Sequence, residues 1–281
     1  MTPHRSTERP VRHSQERKAI YLLPNTVTAA NMVLGILAIT YAFTDALTLK
    51  LSVESKILPF VWPARLILIC IFIDFLDGRL ARATGTTSRF GVEFDSMADL
   101  VSFGVAPAVL IYLSVLRYLT FWGVPIAVLY VVCATIRLAR FNVQAEIEEK
   151  DHFMGLPSPA AAGLLVSYVL LSRWMGWYGK GPTLNTVMGW YEENINLVEF
   201  WLVPLLTVLI AVMMVSNVKY PSFKKLNRET IRPITMVGVV MAVFWIVYAA
   251  EIAVFVLLLG YLVLGLVHSG VRGIFARQPN R

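Results

Sequence analysis

Asp74 and Asp77, followed by Asp95 and Asp99, stand in a chain that is otherwise short of charge, and around them lie Gly78, Ala81, Arg82 and Gly91. Asp74, Asp77, Gly78, Ala81 and Arg82 fall at i, i+3, i+4, i+7 and i+8, which a continuing helix lines up on one stripe. Gly91, Asp95 and Asp99 repeat at steps of four and form a second stripe. Two adjacent helices carrying these stripes present four carboxylates to each other. Packed side by side, such groups repel and take up protons unless cations sit between them. Oxygen-only ligands favour Mg²⁺ or Mn²⁺, and Mg²⁺ binds through a few carboxylates, retained waters and substrate phosphates. Two such ions, roughly 3.5 to 4 Å apart, would offset the charge and clamp a phosphoryl group during displacement. Gly78 and Gly91 suit the same chemistry, since a missing side chain admits a phosphate or a neighbouring helix. The plain alternative is a solvated loop in which Arg79, Arg82 and Arg89 pair with the acids, but such a loop would scatter its charges. None of His4, His13, His152 and His268 falls near the stripes, so a carboxylate is the best available base.

The elements that position these groups are membrane helices. Of 281 residues, 57% are hydrophobic and 15% charged, with a mean hydropathy of +0.65. A helix needs roughly 20 apolar residues to cross a hydrocarbon core of about 30 Å. Eight segments are expected, near 22–44, 57–76, 92–115, 119–138, 158–173, 196–217, 232–249 and 251–270. The fold class that follows is all-α, a polytopic membrane helical bundle of about eight transmembrane helices. Only a hairpin around Ala249, Ala250 and Glu251 separates the last two, and the stretch is too long for one crossing. An Asp at a helix centre costs about 2.5 to 3.5 kcal/mol, so four bare ones would cost roughly 10 to 14 kcal/mol. Depth reduces this: Asp74 comes about 25 Å after Ile57 along a helix of standard rise, near the membrane boundary. Asp95 and Asp99 occupy the first turns of the returning helix.

Most of the 25 Lys and Arg residues fall in the leader, in the connections after segments two, four and six, and in the tail. The positive-inside rule then puts both termini and the acidic stripes in the cytoplasm, expected to be that of a bacterium with the chain in its inner membrane. The expected organisation is a basic leader over 1–20, a membrane domain over 21–271 and a basic tail over 272–281, with no removable signal peptide. Cys70 and Cys133 fall inside spans, which excludes a disulfide framework or a zinc spacing. The loop from Trp174 to Asn194 carries Trp177, Tyr178, Trp190 and Tyr191, an interfacial anchor by composition. The net charge of +7 suits an anionic leaflet. Expected partners are the bilayer and small substrates, with no nucleic acid.

The arrangement of Asp74, Asp77, Gly78, Ala81, Arg82, Gly91, Asp95 and Asp99 resembles, without departure, the signature of the CDP-alcohol phosphatidyltransferases. Eight fixed positions across two helices make it specific. The resemblance implies that Asp74, Asp77 and Asp95 hold one divalent ion, and that Asp74, Asp95 and Asp99 reach a second. It implies that Asp99 is also the general base, and that Gly78, Arg82 and Ser88 contact the CDP part of CDP-diacylglycerol. A guanidinium such as that of Arg82 suits a diphosphate because it donates two parallel hydrogen bonds. The family resemblance also implies a homodimer.

Segment four ends on Arg137, Leu138, Ala139, Arg140, Phe141 and Asn142, and segment five is approached through Phe153 to Pro159. These runs, with Pro24, Asn25, Thr28, Asn31 and Gly35, resemble the subgroup whose acceptor is L-serine. Serine brings a carboxylate, which Arg137 and Arg140 would clamp, with Asn142 beside them. Arg residues at a helix end also snorkel and complement the helix dipole, and Asn142 also suits a helix cap. Asn25, Thr28 and Asn31 suit donor binding or, equally, interhelical hydrogen bonding, with Pro24 opening the helix. Two alternatives stay open: the same chemistry with glycerol 3-phosphate or inositol phosphate as acceptor, and a divalent-metal transporter. A transporter would call for carboxylates near the midplane and paired broken helices.

Overall fold

The computed structural model describes residues 13–51, 59–84, 89–145, 152–174, 197–221 and 254–265. They are almost wholly helical. In chain order come α1 (His13–Leu51), α2 (Val61–Thr84) and α3 (Arg89–Asp99), then a π turn (Leu100–Val105) that leads into α4 (Ala106–Ser114). A 3₁₀ turn (Leu116–Leu119) precedes α5 (Gly123–Ala145), and α6 (Ser158–Trp174), α7 (Leu197–Val215) and α8 (Val254–Gly265) follow. Among the described residues, three stretches are long and apolar enough to cross a membrane, Asn25–Thr48, Phe90–Ser114 and Gly123–Val143, while Phe200–Val215 and Val254–Gly265 are shorter apolar helices. The expected segment 232–249 and the hairpin at Ala249 lie outside the described residues.

Helix α6 forms the centre of the bundle. Every residue from Ala161 to Leu170 is buried, as expected of a helix apolar all round. Helix α1 meets its neighbours through a seam of small side chains, Thr28, Asn31, Gly35, Ala38, Ala42 and Ala46, all buried. Small residues at steps of three and four let backbones approach closely. On the outward face of α1, Thr40, Thr44 and Thr48 donate their hydroxyls to carbonyls four residues back, at 2.9 to 3.0 Å. Large apolar side chains such as Phe43, Phe72, Val128 and Leu205 also point outward, where a soluble domain of this size would carry charge.

Among the described residues the structure departs from the sequence expectation at several points. Helix α1 runs through Pro24 instead of starting at it. The expected straight segment 92–115 is interrupted by the π turn, in which the Ala106 N–H reaches back to the Val101 carbonyl. Pro107 bears on the break: it has no N–H to give the Phe103 carbonyl four residues earlier, and its ring crowds that carbonyl, so the regular ladder is weakened at this point. Finally, two short strands, β1 (His152–Met154) and β2 (Lys219–Pro221), pair antiparallel with Phe153 opposite Tyr220. The polar connections after α5 and α7 have backbone groups to satisfy, and here they satisfy each other.

Candidate active site

Helix α2 continues past the expected boundary at residue 76 as far as Thr84, so Asp74, Asp77, Gly78, Ala81 and Arg82 share one unbroken helix. Buried Ala64, Ile67 and Cys70 seat the preceding turns of α2. Asp95 and Asp99 occupy the last turns of α3. One carboxylate oxygen from each of Asp74, Asp95 and Asp99 lies within 4.8 Å of the others, and all three residues are half-buried. This donor set fits a divalent cation: hard oxygen ligands converging from two helices, on residues that are only half-buried. The side chains of Asp77, Gly78 and Arg82, and the whole of Ser88, lie outside the described residues.

The backbone just beyond Asp99 is fastened on several sides. Ser102 in the π turn donates to the Asn31 carbonyl at 3.1 Å, and Cys70 of α2 points its thiol at the same oxygen at 3.6 Å. Gly35, one turn along α1, makes room for this: a Cβ there would stand 2.6 Å from the Ser102 hydroxyl and 3.1 Å from its Cα. From α5, the buried Tyr130 hydroxyl donates to the Phe103 carbonyl at 3.0 Å. Of the residues assigned from sequence to the donor, Thr28 and Asn31 are thus buried in the seam beside the π turn, and Asn25 is half-buried one turn earlier.

Arg137 and Arg140, bracketed together in the sequence, go separate ways. Arg137 donates to the Ser158 hydroxyl at 2.6 Å, and lies within electrostatic range of Asp99, Tyr130, Tyr261 and Asp74. Its Nε is buried and has no hydrogen-bond partner among the described residues. Arg140 instead donates to the Asn217 side chain at 2.7 Å and the Val215 carbonyl at 3.3 Å, with the Met154 sulfur also at 3.3 Å. It thereby satisfies the open C-terminal carbonyl end of α7. Asn142 and Ser96 exchange hydrogen bonds at 2.8 and 3.2 Å, which ties the end of α5 to α3 between Asp95 and Asp99.

The approach to α6 is built on Gly155, whose φ of 78° lies in the left-handed region. Its N–H donates to the Val218 carbonyl at 2.9 Å and the Leu156 N–H to the Met213 carbonyl at 3.0 Å. A Cβ at Gly155 would collide with the Met214 carbonyl, so both conformation and space demand glycine. The turn sets Ser158 at the start of α6, in front of Arg137.

Sequence reading missed Ser96, Ser158, Tyr130 and Tyr261. Ser158 stands within the Phe153–Pro159 run, and only its contact with Arg137 singles it out. Tyr130 and Tyr261 sit in apolar helices where a tyrosine has no distinctive spacing. Both sequence cysteines are free and buried, as expected.

The model of a family described as CDP-alcohol phosphatidyltransferase matches residues 21–192, which include the acidic cluster, Arg137 and Ser158. A Helicobacter pylori protein named CDP-diacylglycerol–serine O-phosphatidyltransferase is 38% identical over 208 residues, 74% of this chain and 75% of its own length. A Bacillus subtilis protein of the same name is 32% identical over 209 residues, 74% of this chain and 95% of its own. One from Mycobacterium leprae is 27% identical over 267 residues, 91% of this chain and 76% of its own.

Proposed function

Since this chain belongs to the CDP-alcohol phosphatidyltransferase family, we propose that it transfers the phosphatidyl group of CDP-diacylglycerol to the hydroxyl of L-serine, forming phosphatidylserine and releasing CMP. The observation that carries the reading is the meeting of Asp74, Asp95 and Asp99 within 4.8 Å, with the Arg137 cation in electrostatic range. The names of the Helicobacter and Bacillus relatives support serine as acceptor.

Asp74, Asp77, Asp95 and Asp99 would hold two divalent ions, Mg²⁺ or Mn²⁺. Bound there, the ions supply charge stabilisation at the phosphoryl oxygens that no side chain in the cluster offers. Gly78, Arg82 and Ser88 bind the CDP part of the donor, with Asn25, Thr28 and Asn31 of α1 alongside. Asp99 takes the proton of the serine hydroxyl as that oxygen attacks the diacylglycerol-linked phosphorus. The bond from phosphorus to the CMP oxygen breaks, and CMP leaves with the bonding electron pair.

Arg137 receives the serine carboxylate. One terminal nitrogen is committed to Ser158, which fixes the plane of the guanidinium, and a planar guanidinium so fixed suits a carboxylate. Arg140 supports this indirectly by holding the end of α7 and the strand pair in place. Asn142, through Ser96, keeps α5 registered on the acid-bearing helix. The enzyme works as a homodimer in a bacterial inner membrane, with its termini and acid cluster on the cytoplasmic side.

Purified protein supplied with CDP-diacylglycerol and Mn²⁺ is expected to release CMP when L-serine is added. Release with glycerol 3-phosphate or inositol phosphate but not with serine would overturn the acceptor. Mn²⁺ uptake into proteoliposomes without any lipid product would revive the transporter.

A further inference from the structure

The helix that carries Asp95 and Asp99 breaks immediately after Asp99, and the break is held from outside. In an α-helix the Phe103 carbonyl would accept from the N–H four residues on, but that residue is Pro107, which has none. A buried carbonyl left without a donor is costly. Tyr130, fully buried on α5, provides the donor at 3.0 Å. Its ring hydroxyl is the external hydrogen bond on the α5 side of the π turn, matching Ser102 to Asn31 on the α1 side. Short π segments widen a helix and rotate the residues on one side relative to those on the other. Here the residues before the turn are the acids and those after it are buried core, Ala106, Pro107, Ala108 and Leu110.

We propose that Tyr130 is a positioning residue for Asp99: its hydroxyl replaces the hydrogen bond that Pro107 withholds from Phe103, and so fixes the π turn that aims Asp99 at Asp74 and Asp95. The assignment rests on the reading of Asp99 as metal ligand and base. Tyr130 touches neither substrate nor ion. Its effect passes through five residues of backbone, and a phenylalanine would preserve its packing while removing only the donor.

The test uses the purified full chain in detergent, with Mn²⁺ binding followed by electron paramagnetic resonance in the absence of substrates and turnover followed by CMP release. Tyr130→Phe is expected to weaken Mn²⁺ binding on the order of tenfold, the size of one buried hydrogen bond. It should lower kcat by a similar factor while leaving the KM for CDP-diacylglycerol within about twofold. Pro107→Ala restores an N–H to position 107, so in that background Tyr130→Phe should cost less than about threefold in Mn²⁺ affinity. This arm also serves if Tyr130→Phe alone does not fold. Unchanged Mn²⁺ affinity in Tyr130→Phe, or an equal loss with and without Pro107, would overturn the assignment. Wild-type protein that binds Mn²⁺ yet releases no CMP with serine would overturn the proposed function and leave the tyrosine result standing. A wild type that binds no Mn²⁺ would overturn both.

Discussion

Arg137 and Ser158 stand 2.6 Å apart, guanidinium to hydroxyl, across the junction of α5 and α6. The contact fixes a guanidinium that would otherwise be free to snorkel toward a membrane boundary, and fixes it within electrostatic range of Asp99 and Asp74. Serine, the proposed acceptor, carries a carboxylate that a cation so held suits.

Replacing Arg137 therefore bears on the acceptor more than on the donor. Arg137→Ala is expected to raise the KM for serine by roughly 10- to 150-fold, the range for a charged hydrogen-bonded contact of about 1.5 to 3 kcal/mol. The KM for CDP-diacylglycerol should move little. Ser158→Ala should give a smaller rise in the same constant. Steady-state CMP release at varied serine checks both, and an effect confined to the donor would remove Arg137 from the acceptor site.

Asp99→Asn keeps the size of the side chain and removes its basicity. Turnover is expected to fall by about 10² to 10⁴, the usual contribution of a positioned base, with CDP-diacylglycerol binding partly retained. Single-turnover CMP release and a donor-binding titration separate the two effects. Near-normal turnover would relocate the base.

Metal removal should abolish activity reversibly. Chelation is expected to stop CMP release, and added Mn²⁺ or Mg²⁺ to restore it. Asp74→Ala or Asp95→Ala should require far more metal for half-maximal rate, because each removes one of the three converging oxygens. Full activity in excess chelator would contradict the reading of the cluster.

Gly155→Ala tests the fold rather than the chemistry. At a φ of 78°, with the Met214 carbonyl in the way of a Cβ, the substitution is expected to destabilise the protein by about 1 to 3 kcal/mol. A lowered thermal midpoint in detergent, with Mn²⁺ binding to the folded fraction unchanged, is the expected result. An unshifted midpoint would mean that the turn has room to relax.

Much of the architecture is readable from local pattern. Helical stripes follow from spacing, so Asp74, Asp95 and Asp99 are recognisable as partners before any coordinates, and α6 begins and ends where its apolar run does. The π turn is not read from sequence: Pro107 lacks an N–H, but so do Pro24 and Pro204, and the helices that hold those two run on. The turn depends on Tyr130 being within reach of Phe103, a contact between residues 27 apart in sequence.

What the sequence by itself determined is the set of acids, their helical phase and the apolar lengths that embed them, because these depend on periodicity within single segments. Only the tertiary structure decided how Arg137 and Arg140 divide their partners, why Gly155 must be glycine, and what holds the backbone beyond Asp99. Each of those depends on a donor or acceptor contributed by a distant helix, and hydrogen bonding across a bundle has no period along the chain from which to read it.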